Sequence, residues 1–141
     1  MAITTNAICN TFKKELLEAK HNFSNPGGNT FKLAMYTNSA TLGKSTTSFT
    51  TGNEVSSPSG YSSGGKALVN TGTSLATNTA ITDFSDLSFV GVTLTARGAL
   101  IYNDTATGDP AVAVLDFGGD KTASAGTFTI QFPAFTTSAA I

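Results

Sequence analysis

Tryptophan is absent from this chain, and Cys9 and His21 are the only residues of their kinds. A lone cysteine excludes an intramolecular disulfide framework and leaves the redox compartment open. One histidine and one cysteine make no zinc set, which needs a third and a fourth ligand of the right type. No metal site and no cofactor is therefore expected. Cys9 reads as a small buried apolar residue, and His21 as a solvated or capping side chain at a helix end. Charge is equally scarce: 12% of residues carry it, and the net charge is −1. A nucleic-acid binder neutralises phosphates with a basic footprint, so that partner class is excluded, and a polybasic membrane anchor with it. No apolar run approaches the roughly 18 residues of a membrane-spanning helix. The first residues lack the basic and apolar regions of a signal peptide. These absences predict a chain made in the cytoplasm, with no membrane partner.

Catalytic constellations are missing too. Nucleophilic catalysis needs a nucleophile, a base and an orienting group. Here a single histidine would have to serve as base, and no G-x-S-x-G elbow exists. Asp83 with Asp86, or Asp116 with Asp120, could pair as acid and base of a glycosidase, but turn chemistry explains these positions better. Asp104 and Asp109 share a loop without the spacing of a calcium site. Gly64-Gly65-Lys66 lacks the earlier glycine and the following helix of a phosphate-binding loop. No catalytic residue is assigned, and the chain is not expected to be an enzyme.

What the chain has in quantity is Ser and Thr, roughly a quarter of its residues, together with Gly and Asn. Thr suits exposed strand positions, while Ser, Asn and Gly suit turns. At 141 residues the prior is one domain, residues 1–141. β-Branched and aromatic segments separated by Gly, Asn, Asp and Pro predict strands at about 30–38, 66–70, 78–84, 87–96, 99–103, 111–117 and 127–132. The parity of Leu87 and Phe89 is opposite to that of Val92, Leu94 and Ala96, which predicts a bulge at Val90-Gly91. Hairpin loops are expected at 103–110 and 118–126. Pro133 supplies no ladder donor and should close the last strand, and the tail from Ala134 reads as weakly structured.

One helix is predicted at about 7–20, capped by Thr5 or Asn6. Its apolar stripe is Ile8, Phe12, Leu16 and Ala19, widened by Cys9 and Leu17, with Lys14 and Glu18 spaced to pair. Such a stripe must be buried, against the sheet or against a partner. Residues 39–65 read as a long exposed loop region with at most short edge strands near Phe49–Thr51 and Glu54–Ser56, and a loop of that length is usually functional. The fold class is mainly β: an antiparallel β-sandwich or jelly-roll-like domain with one N-terminal α-helix. Asp116 interrupts an apolar strand and needs a partner, for which Arg97 and Lys121 are the candidates. Arg97 is the only arginine and is expected to be structurally fixed. Tyr36, Tyr61 and Tyr102, the only tyrosines, could stack against a sugar if they lie exposed on one face.

Three segments carry a resemblance: FKKELLEAKHNF…TFKLAMYTNSATLG from Phe12, YSSGGKALVN at 61–70, and above all LTARGALIYN…AVAVLDFGGDKTASAGTFTIQFP at 94–133. Together they resemble a family of small virion structural proteins of tailed bacteriophages. The resemblance implies a capsid cement or decoration protein that binds the major capsid protein lattice and neighbouring copies of itself, oligomeric on the virion. A tail or baseplate component, or a glycan- or receptor-binding β-sandwich on the virion surface, is the alternative. Low net charge agrees, because it limits repulsion between copies packed side by side.

Overall fold

The computed structural model describes residues 3–56 and 60–134. Its elements are β1 (Ala7–Ile8), α1 (Asn10–Leu17), β2 (Phe31–Tyr36), β3 (Lys66–Ala67), β4 (Asn70–Ala76), β5 (Thr79–Phe84), β6 (Leu87–Asn103) and β7 (Ala111–Ile130). The protein is mainly β; among the described residues every strand pair is antiparallel and one short helix lies near the N-terminus. Among the described residues the strands divide into a five-stranded sheet, ordered β1-β7-β6-β2-β3, and a separate two-stranded sheet, β4-β5. The tail expected to be weakly structured lies, from residue 135, outside the described residues.

The helix is shorter than its apolar periodicity suggests. It starts at Asn10, with Cys9 in extended conformation at the N-cap position and no side-chain cap. Thr5 and Asn6 therefore do not cap it. Ala7 and Ile8 are drawn into the sheet, where they pair with Val114 and Ala113. Ladder bonds compete with helix propensity there, and an open strand edge wins. Of the expected stripe Phe12 and the flanking Cys9 are buried, whereas Ile8 keeps 40% and Leu16 45% of its surface exposed. Lys14 and Glu18 do pair, at 3.1 Å on the exposed face.

β6 and β7 form the spine of the molecule. Both run further than composition suggests, because the expected corner at Arg97-Gly98 and the expected loop 118–126 lie inside paired strands. Lys121, Thr122 and Ala123 pair with Ala96, Thr95 and Leu94. Glycine and polar residues read as a turn, yet here they face solvent on a strand whose neighbour satisfies their backbone. The extra residues are absorbed by a shift between Ala96 and Gly98, opposite Asp116 and Lys121, with Gly118 at φ +73. The bulge expected at Val90-Gly91 is present: Phe89 pairs with Phe128, Val92 with Gly126, and Gly91 has φ +67. It returns Phe89, Val92, Leu94 and Ala96 to one buried face.

Bulges bend strands and sharpen their twist. A straight strand would hold residues 117 and 128 roughly 36 Å apart; in the structure their rings meet at 5.9 Å between centroids. β7 is therefore bent back on itself, and the sheet with it.

β2 is buried on both faces, with Ala34 and Tyr36 as inaccessible as Leu33 and Met35. The expected strand 66–70 is reduced to β3, and Asn70–Ala76 forms a strand that was not expected. Aromatic rings tie the elements together. Phe12 contacts His21 and Phe23, Phe23 stacks on Phe31, Phe31 meets Phe84, and Phe84 meets Phe132.

Candidate functional site

The three tyrosines converge on the segment expected to be an exposed loop. Glu54 is the hub. Its carboxylate accepts from the Tyr61 hydroxyl at 2.7 Å, from the Ser63 hydroxyl at 2.7 Å and from the Gly64 amide at 2.7 Å. Tyr61 Oη in turn accepts the Met35 amide of β2 at 2.9 Å. Tyr36 donates to the Thr50 carbonyl at 2.6 Å, and Tyr102 to the Gly64 carbonyl at 2.7 Å. Phe49 stacks on Tyr102, Ser48 bridges Pro110, and Glu54 bridges Tyr36. These single bridges replace the short edge strands expected there.

Burial pushes the Tyr36 hydroxyl up to about 12, with the Thr50 bond opposing and Glu54 adding to the rise. Burial, then the Glu54 bond, raises Tyr61 further, and burial raises Tyr102. All three stay neutral donors across the ordinary pH range. Residues 39–56 and 60–65 are thus largely strapped to the sheet. The strap was invisible to composition because two of its anchors, Tyr36 and Tyr102, lie outside the loop, and nothing local marks Tyr61 as the partner of Glu54.

Arg97 Nη1 donates to Asp116 Oδ1, with both side chains mostly buried. The Gly118 amide donates to the same oxygen at 2.8 Å. That bond is the leading reason the Asp116 carboxyl sits below its ordinary value of 3.8; burial opposes it, and Arg97 adds to it. Lys121, the other expected partner, forms no ion pair with Asp116. The pair clamps the irregularity where β6 and β7 bend.

His21 departs furthest from expectation. Its side chain is inaccessible, with Nε2 2.9 Å from Glu15 Oε2 and Nδ1 3.1 Å from Asn103 Nδ2. Burial works to raise Glu15, but the bonds from His21 and Lys20 hold its carboxyl below the ordinary value of 4.5. The signal available in the sequence was the acidic residue one and a half turns earlier. Cys9 is buried as expected, and burial, with Glu15 adding, pushes its thiol up to about 11.

Two surface features remain as sites of interaction. One is the β4–β5 hairpin, a sheet of its own whose base carries buried Asp83 and Phe84. Its outer part, from Thr73 to Ala80, is solvent-facing, and Leu75 is 71% exposed. The other is an open groove of about 1090 Å³ along β7, lined by Ile8, Leu115, Phe117, Phe128, Ile130 and Phe132 among others. Among the described residues the only strand on the outer side of β7 is the two-residue β1, with Asn6 Oδ1 accepting the next outward amide, that of Asp116. Of the residues singled out from sequence, Ile8 and Asp116 reach this groove, Phe12 and Leu16 lie on α1, and the tyrosines lie at the strap.

Among the described residues no group of three or more His, Cys, Asp or Glu side chains is placed to hold a metal ion, and no helix is long and apolar enough to cross a membrane. No protein-family profile, no curated protein and no solved structure matches the chain.

Proposed function

We propose that the protein is a structural binding module of a tailed-phage virion, a capsid cement protein that docks on the major capsid protein lattice and on neighbouring copies, and stabilises the head. The segments quoted above, from Phe12 to Pro133, supply the phage context. The observation that carries a binding role is the β4–β5 hairpin. A two-stranded hairpin is marginal in water by itself, and this one holds Leu75 outward. Such an arm gains most when a partner covers it. Ser and Thr around it suit the hydrogen-bonded, wet rim of a protein interface. Burial of Tyr36, Tyr61 and Tyr102, at 1%, 7% and 2% exposed, removes the aromatic platform that a glycan-binding reading requires.

The test adds purified protein to phage particles that lack it, with Leu75→Asp as the comparison. Wild type is expected to co-sediment with heads and raise their heat resistance, and Leu75→Asp to bind at least about tenfold more weakly. Binding to isolated tails alone, or no binding, overturns the cement reading. Equal binding of folded Leu75→Asp removes the arm as the contact.

A further inference from the structure

The β4–β5 arm and the groove along β7 are two unpartnered features of one chain. We infer that they are each other's partners between two copies: the arm of one copy lies in the groove of the other, reciprocally across a two-fold axis. This rests on the arm's role in the capsid reading and names what the arm grips, a second copy of this chain.

The arm supplies an uncharged strip. Leu75 pairs with Ala80 across the hairpin, and Thr73 with Thr82; directly opposed residues share one face of a sheet. No charge occurs from Asn70 to Thr82. The groove matches it with an apolar floor of Leu115, Phe117, Phe128 and Ile130. Its charged lining residues are Asp116, already paired with Arg97, and Lys121. Docking the arm therefore leaves no carboxylate stranded. Among the described residues β7 has no strand on its outer side beyond β1. Such an edge takes main-chain bonds from an added strand and is a liability while uncovered. Copies with a net charge of −1 each hardly repel one another.

Placement points to a second copy and to reciprocity. Leu75 is 71% exposed, so the arm does not fill its own groove. At the root of the arm Phe84 meets Phe132 at 5.9 Å, and Phe132 lines the groove. Arm and groove thus adjoin on one chain while the arm stands off into solvent. A two-fold axis near that junction sends each arm along the other copy's groove, a self-complementary contact. An arm of a few residues is small against the roughly 20–30 residues a side of a standard interface. Two insertions for one dimer double the contact.

The test uses the full chain and no virion, so its failure is separate from a failure to bind heads. Leu75→Cys and Thr127→Cys are made as two proteins, mixed, and treated with a short bismaleimide. Thr127 is exposed and lines the groove, while Cys9 is buried and stays out of the reaction. The expected product joins the two different variants, in clear excess over either same-variant product. In sedimentation at millimolar concentration, the scale on which tethered neighbours meet, wild type is expected to form a dimer. Leu75→Asp should dimerise at least about tenfold more weakly. In hydrogen exchange the dimer should protect amides of 121–130 about tenfold over dilute protein, with β2 unchanged in both proteins. That unchanged β2 shows that Leu75→Asp is folded. A wild type that stays monomeric, or cross-links that join only like variants, overturns the inference. Assemblies larger than a dimer overturn the reciprocal arrangement.

Discussion

His21 and Asn103 meet at 3.1 Å, ring Nδ1 to side-chain nitrogen, at a point that solvent does not reach. Asn103 Oδ1 already accepts the amides of Thr105 and Ala106, at 3.0 and 3.2 Å. Its NH₂ group must therefore face His21, and also donates to Asn29 Oδ1 at 2.9 Å. That orientation fixes the ring: Nδ1 accepts, and Nε2 carries the proton given to Glu15. One junction thus joins the end of α1, the turn after it, and the far end of β6. Nitrogen-15 NMR should place the His21 proton on Nε2 and leave Nδ1 as an acceptor. An Nδ1–H tautomer would contradict the arrangement.

Asn103→Ala leaves the Thr105 and Ala106 amides and His21 Nδ1 without their partner. Unsatisfied buried groups cost about 1–3 kcal/mol each, so a loss of about 3 kcal/mol is expected in urea unfolding. A loss below about 1 kcal/mol would mean that water replaces the side chain.

Tyr61→Phe removes one hydroxyl that both donates to Glu54 and accepts from Met35. The expected cost is about 2 kcal/mol, with faster proteolysis within 39–56 as the strap loosens. Ser63→Ala, at an exposed bond to the same carboxylate, should cost much less. Equal effects would remove Glu54 as the hub.

Arg97→Lys keeps the charge but loses the planar fork. Its melting temperature should fall further than that of Lys44→Arg on the strap. Equal melting temperatures would show that the Arg97–Asp116 clamp is not needed at the bend.

Glu15 and Asp116 both titrate below their ordinary values in the folded protein. The unfolded chain therefore binds protons first as pH falls. Their stabilisation is full above the unfolded values, near 4.5 and 3.8, and drains away as pH drops through the lower folded values. Melting temperature should be flat near neutrality and decline from about pH 5 downward. Glu15→Gln should flatten the upper part of that decline. The same decline in Glu15→Gln as in wild type would exclude Glu15 as a contributor.

The long strands were legible wherever side chains alternate. Phe31–Tyr36, Thr79–Phe84 and the bulge at Val90-Gly91 follow from side-chain period alone. Strand continuity was not legible where the backbone is satisfied by a distant partner: Gly118–Gly126 has turn composition, yet Lys121–Ala123 and Gly126 within it pair with β6 and keep it in the strand. The helix start failed for a related reason, because Ala7 and Ile8 have helical spacing and a vacant strand edge claims them. Long-range polar partners were legible only where chemistry left few choices. The partner of Asp116 could be narrowed to Arg97 or Lys121, since cations are few, and the structure selects Arg97. Glu54 with Tyr61, and His21 with Asn103, could not be named, since nothing local distinguishes these partners from other polar residues.

The bend in β7 that brings Phe117 onto Phe128 has a mechanical consequence. Two independent sheets pressed face to face can shear, because only side chains join them. Here the facing portions belong to the same two covalently continuous strands, so sliding one across the other means straightening the bend. That requires breaking the Arg97–Asp116 clamp and parting the rings together. Load applied along the sheet is therefore carried by the continuous backbone of β6 and β7 and not by side-chain contacts alone.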